Sequence, residues 1–289
     1  MLRPVILTLE MIKIQHTLFA LPFAFLAAFT SAGAMPAGWT IFWIVVAMTG
    51  ARSAAMAFNR LVDAPIDAKN PRTAGRALPA GLVSRGFVIV FTIVSAALLL
   101  FAAWQLNPLA FALAPLALLI ILGYSFTKRF TSLSHIFLGL ALAVAPIGAA
   151  VAVEARIDPR MWFLAGAVLT WTAGFDILYS LQDLKFDRSE GLYSIPSRIG
   201  ASNALVVSRV LHAATVGLLA AFGLAYGFGP LYWTGLAAGI GLLLWQHSIV
   251  APEDLSRLDA AFFTANGVLA IVLFVFGACD ILIRAGGAG

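Results

Sequence analysis

Two stretches of the chain place oxygen ligands at helical spacing. The first reads Asn59-Arg-Leu-Val-Asp63-Ala-Pro-Ile-Asp67, and the second Asp176-Ile-Leu-Tyr179-Ser-Leu-Gln-Asp183-Leu-Lys-Phe-Asp187. At about 100° per residue, Asn59, Asp63 and Asp67 share one helix face, as do Asp176, Tyr179, Asp183 and Asp187. An isolated acidic pair of this kind usually ends a helix and faces water. Here the pattern occurs twice, with 120 residues from Asp63 to Asp183, as an internal duplication of helix units would give. Carboxylates at i and i+4 repel each other unless a cation lies between them. Carboxylate and amide oxygens suit Mg²⁺, which keeps several waters and shares its shell with substrate phosphates. Zinc is not indicated: Cys279 is the single cysteine, and His16, His135, His212 and His247 are scattered without ligand spacing.

Basic residues accompany the acids. Asn70-Pro-Arg72-Thr-Ala-Gly-Arg76 follows the first string, Tyr124-Ser-Phe-Thr-Lys128-Arg129 closes another apolar stretch, and Ser194-Ile-Pro-Ser-Arg198 follows the second string. Each could be an ordinary membrane anchor. Mixed with Asp strings on one face, they also suit a diphosphate cradle, with Mg²⁺ held by Asp and the rest of the phosphate charge met by Lys and Arg. Arg52 precedes Asn59 by seven residues, so it shares nearly the same face about 10 Å deeper at about 1.5 Å per residue. A cation there either snorkels to the interface or awaits an anionic group of a substrate.

The elements that must position these residues are membrane helices. Of 289 residues, 62% are hydrophobic and 11% charged, with mean hydropathy +0.97. A soluble domain carries about 25% charged residues, so the composition predicts an all-α integral membrane protein embedded in a lipid bilayer. Nine spans of about 20 residues are expected, roughly 14–34, 38–58, 85–105, 108–127, 134–153, 161–181, 203–225, 229–248 and 259–283. Asn266-Gly267 interrupts the last one, which leaves an even count open. The first span is long for a signal peptide and reads as a retained helix. With a cytoplasmic N-terminus, 15 of the 18 Lys and Arg fall inside, leaving Arg156, Arg160 and Arg284 outside. Both polar loops then lie on the cytoplasmic face. The net charge of +5 reports this bias rather than nucleic-acid binding. The chain reads as one transmembrane domain over 1–289, with cap loops at about 59–84 and 182–202.

Together the two strings resemble those of the UbiA-type intramembrane aromatic prenyltransferases, NxxxDxxxD and DxxYxxxDxxxD. Tyr124–Lys128, the stretch from Gly191 to Ser194 and the nine-span plan extend the resemblance over most of the chain. It implies a ring of nine helices around a central cavity, capped by the Asp-rich loops. It also implies transfer of a polyprenyl group from polyprenyl diphosphate to a small aromatic acceptor. Asn59, Asp63, Asp67, Asp183 and Asp187 would hold two Mg²⁺ ions; Arg72, Tyr124, Lys128 and Arg198 would serve the diphosphate. Asp176 and Tyr179 would position or shield the allylic cation, and Arg52 would hold the acceptor carboxylate. The setting would be a bacterial-type inner membrane with the site on the cytoplasmic side. The strings Lys13-Ile-Gln-His16-Thr and Phe58-Asn59-Arg60-Leu61 look like a bacterial 4-hydroxybenzoate polyprenyltransferase subgroup of ubiquinone biosynthesis, with some relatives linked to a dihydroxynaphthoate acceptor and menaquinone. Two departures stand out: Arg60 replaces an Asp that many members carry, and Pro65 inside the motif is expected to kink or end its helix. A secondary transporter would also carry intramembrane acids, but near the midplane in broken helices.

Overall fold

The computed structural model describes residues 17–287, so Lys13 and His16 lie outside it. Its architecture is all helical: α1 (Thr17–Ala32), α2 (Gly38–Asp67), α3 (Arg85–Leu106), α4 (Pro108–Gly123), α5 (Ser134–Glu154), α6 (Met161–Ser180), a short α7 (Leu184–Ser189), α8 (Ile195–Ala225), α9 (Pro230–Ser248) and α10 (Asn266–Gly286). Every predicted span coincides with one of the long helices. Seven of the described helical stretches are long and apolar enough to cross a membrane. Each long helix packs on the next and α10 returns to α1, closing a ring; α1 also leans on α5.

Local chemistry places the helix starts. Asn107 Oδ1 accepts the Ala110 N–H at 2.9 Å ahead of Pro108, while its amide donates to Val151 O at 2.8 Å and ties the α3–α4 corner to the end of α5. Ser194 and Ser197 form a reciprocal capping box at the start of α8. Pro65 does not end α2, which continues to Asp67. The proline sits in the last turn, where one lost backbone bond matters little and Ala68 N–H still reaches Ala64 O at 3.1 Å. The Asn266-Gly267 interruption does not split the last span. It marks the point where a π-helical turn, Ala260–Ala265, passes into α10.

Close backbone contact fixes the ring next to the cavity. A Cβ on Gly139 of α5 would lie 2.3 Å from Leu169 O of α6, whereas one on Gly241 of α9 would meet nothing within 4 Å. Gly139→Ala is therefore expected to lose about 1–3 kcal/mol by overpacking. Thermal unfolding in detergent should show a lower Tm for it than for Gly241→Ala.

Candidate active site

Helix α2 carries the first string in its last turns, and the 68–84 segment that follows packs its Leu78 and Val83 against Met56 and Ala57 of that helix. Asn59 Nδ2 donates to Asp63 Oδ2 at 3.0 Å, which places them on the shared face that the spacing predicts. Asp63 is buried and ion-paired to Lys128 at 2.7 Å and to Arg129 at 3.1 Å. Asp67, also buried, takes Arg76 Nη1 on both oxygens at 2.8 Å. From the second string, Asp183 accepts Asn70 Nδ2 at 2.9 Å and a two-pronged bond from Arg72. Burial opposes the charge on Arg72, but the bonds to Asp183 outweigh it and raise its pKa. Asp187 accepts Ser194 Oγ–H at 2.8 Å. The four carboxylates line one recess of about 160 Å³ together with Arg60, Arg72, Arg76 and Lys128. Like-charge repulsion within each string is thus met by cations from the protein itself. Among the described residues, no three His, Cys, Asp or Glu side chains converge as a ready metal cage.

The recess opens into a cavity of about 660 Å³ inside the ring. Its wall is mostly apolar, and Asn59, Asp63, Lys128, Asp183 and Asp187 of the recess also border it. Tyr124 lines it, as does Asp176, bonded to His135 Nδ1 at 2.7 Å. Arg52 lines it too, with a buried Nε that has no hydrogen-bond partner. Ser125 Oγ and Thr172 Oγ1, both buried against this cavity, are also unpartnered. Unsatisfied polar atoms in an apolar cavity are costly and suit a polar ligand that would satisfy them.

An aromatic wall faces them. Tyr179 lies against Phe262 with ring centroids 4.2 Å apart, and the Arg72 guanidinium stands over the Tyr179 ring at 5.6 Å. Phe262 is held by the π-turn, whose widened backbone leaves carbonyls free for side chains. Gln246 Nε2 donates to Ala261 O at 2.8 Å, Asn266 Nδ2 to Phe262 O at 2.8 Å, and Trp171 Nε1 to Asn266 Oδ1 at 2.9 Å.

Of the residues singled out from sequence, Arg52, Asn59, Asp63, Arg72, Tyr124, Lys128, Asp176, Tyr179, Asp183 and Asp187 border the cavity or recess, and Asp67 borders the recess. Arg198 does not: its guanidinium lies over the Tyr193 ring at 4.2 Å, outside both linings. The sequence points to the strings that hold Asn70, Arg76 and Ser194 but not to what these three touch, because their contacts with Asp183, Asp67 and Asp187 depend on how the loops fold back. Read in sequence, the histidines also look unrelated. His135 meets Asp176, and His212 Nδ1 lies 2.9 Å from His247 Nε2, contacts that separations of 41 and 35 residues conceal.

A ring of membrane helices with two Asp strings over one cavity defines a class, and the chain belongs to it: the UbiA prenyltransferase family, whose model matches residues 20–268. Among relatives, it is 31% identical over 247 residues to the 4-hydroxybenzoate octaprenyltransferase of Aeromonas salmonicida, covering 85% of each chain. It is 30% identical to the protein of that name from Cupriavidus necator, covering 85% of this chain and 86% of that one. A UbiA homologue from Aeropyrum pernix superposes with a TM-score of 0.85 at 35% identity, over 93% of this chain and 99% of the other. One from Archaeoglobus fulgidus, solved with GPP and Mg²⁺, gives a TM-score of 0.76 at 21% identity over 95% and 99%, a likeness of fold.

Proposed function

We propose that the protein transfers a polyprenyl group from polyprenyl diphosphate to a hydroxylated aromatic carboxylate. The acceptor is 4-hydroxybenzoate on a route to ubiquinone, with a dihydroxynaphthoate on a route to menaquinone as the alternative. The names of the bacterial relatives favour the former. The observation that carries the reading is Arg52: its Nε is buried and unpartnered in a mostly apolar cavity that also reaches Asp63, Asp183 and Asp187, while Arg52 itself does not line the smaller Asp recess. Two anion seats, one at the cap and one deeper, match a diphosphate donor and a carboxylate acceptor.

The donor set of the recess fits Mg²⁺, because Asn59, Asp63, Asp67, Asp183 and Asp187 supply only oxygens and Mg²⁺ binds through few carboxylates plus substrate phosphates. Bound there, Mg²⁺ would supply Lewis-acid stabilisation of the leaving diphosphate. Lys128 and Arg72 would turn from Asp63 and Asp183 to the phosphate oxygens. Asp176 and Tyr179, with Phe262 behind, would face the allylic carbon as the C–O bond breaks. Arg52 would orient the acceptor so that its ring meets that carbon, and the cavity walls would exclude water. By the positive-inside bias the cap faces the cytoplasm of a bacterial-type inner membrane.

The test is mass spectrometry of products from the purified protein given Mg²⁺, a polyprenyl diphosphate, and 4-hydroxybenzoate and dihydroxynaphthoate together. Prenylated 4-hydroxybenzoate is the expected product. EDTA is expected to abolish it and excess Mg²⁺ to restore it; full turnover in metal-free buffer would remove the metal from the mechanism.

A further inference from the structure

Ser194 and Ile195 stand between two carboxylates with different surroundings. Ser194 Oγ–H donates to Asp187 in the recess at 2.8 Å, and the next residue's backbone N–H donates to His135 Nε2 at 3.3 Å. The opposite nitrogen of that ring, Nδ1, lies 2.7 Å from Asp176 Oδ2. An imidazole that accepts at Nε2 carries its proton on Nδ1, so His135 is the donor to Asp176. The segment before Ile195 is itself fastened to the 3₁₀ turn that follows α4 (Tyr124–Arg129), with Tyr193 N–H donating to Lys128 O at 2.8 Å. Both residues line the cavity, with the His135 side chain 4% exposed and that of Asp176 25%, so the carboxylate is the more accessible of the two.

We infer that His135 is a positioning residue that holds Asp176 as the acceptor of the proton released from the aromatic ring. The bond from Ile195 makes this geometry depend on the same short segment that holds Asp187. The inference rests on the aromatic-acceptor reading above. In that reaction the ring carbon bonds to the allylic carbon, and the C–O bond breaks with its electron pair leaving on the diphosphate. The C–H bond at the substituted ring carbon then breaks. Its electron pair restores aromaticity and its proton passes to the Asp176 oxygen not engaged by His135. His135 keeps its Nδ1 proton throughout, and the protonated carboxyl later releases its proton to water. A fixed, hydrogen-bonded carboxylate next to the ring is what general-base catalysis requires.

The experiment uses full-length protein in detergent with Mg²⁺ and donor, comparing 4-hydroxybenzoate with the same acid deuterated at both ring positions beside the hydroxyl. His135→Phe is expected to lower kcat by about 10²-fold. Acceptor KM should stay close to wild type, and an isotope effect on kcat should appear that is larger than in wild type, because proton loss becomes slow. His135→Asn, whose amide can still donate to Asp176, should recover part of kcat and lose the extra isotope effect. If His135→Phe does not fold by thermal melting, His135→Gln carries the same expectation, since its amide reaches toward Ile195 rather than Asp176. A lower kcat with an unchanged isotope effect, or a rise in KM alone, would overturn the inference. Failure of the wild-type protein to prenylate 4-hydroxybenzoate at all would instead overturn the reading on which it rests.

Discussion

Asp63→Asn and Asp183→Asn are each expected to lower kcat by about 10²–10³-fold, while Asp254→Asn leaves it near wild type. Both site substitutions remove a negative charge from the place where the diphosphate charge must be gathered. They differ in structural cost. Asp63 is buried beneath Lys128 and Arg129, so its neutralisation strands two cations, and about 3–5 kcal/mol of stability is at risk. Asp183 is more open, and its charged partner Arg72 is partly exposed and can reach water, although Asn70 is buried. Asp254 is exposed and bonded only within its own loop, to Ser256 N–H at 3.0 Å, which makes it the control. Initial rates measured beside thermal melts separate the two effects. Equal losses at all three positions would point to folding rather than to the recess.

Arg52→Leu is expected to raise acceptor KM roughly 10- to 100-fold, the loss of charge-assisted hydrogen bonds worth about 1.5–3 kcal/mol. Arg52→Lys should recover only part, because an ammonium cannot present the guanidinium fork. Donor affinity should hardly move, since Arg52 is absent from the Asp-lined recess. Melting should not fall either, because Leu removes a buried polar group that has no partner at Nε. The measurement pairs acceptor KM at saturating donor with donor affinity in the absence of acceptor. Weaker donor binding with unchanged acceptor KM would move Arg52 into the diphosphate cradle and empty the proposed acceptor seat.

Much of the fold was legible because membrane helices obey a length rule and end at strong local signals: Asn107-Pro108, Asp158-Pro159 and the Gly227 to Pro230 turn all fall at helix boundaries. The acidic face of α2 was legible for the same reason, since helical periodicity places Asn59 beside Asp63 whatever the tertiary fold. What periodicity could not supply was pairing across the ring. Arg198, four residues past Ser194, looks in sequence like Arg72 beyond Asp67. The turn of α8 points it at Tyr193, while the 68–84 segment folds Arg72 back onto Asp183. His135 lacked any local signal, because its meaning lies in Asp176 and in the Ile195 amide, 41 and 60 residues away. The π-turn before Asn266 was visible only as an interruption; its role in seating Phe262 depends on Gln246 and Trp171.

The cap is held shut by partners far apart in the chain: Asn70 and Arg72 reach Asp183 across 113 and 111 residues, and Lys69 reaches Glu190 across 121. At a synthesis rate of about 5–20 residues per second, on the order of ten seconds separates the emergence of Arg72 from that of Asp183. Throughout that interval the first half of the protein can already be threaded into the bilayer, yet its cap loop has nothing to close against. Biogenesis therefore makes α1 to α6 before the second half of the cap exists, and a chain halted ahead of Asp183 would be an inserted membrane protein with neither a closed ring nor a sealed site.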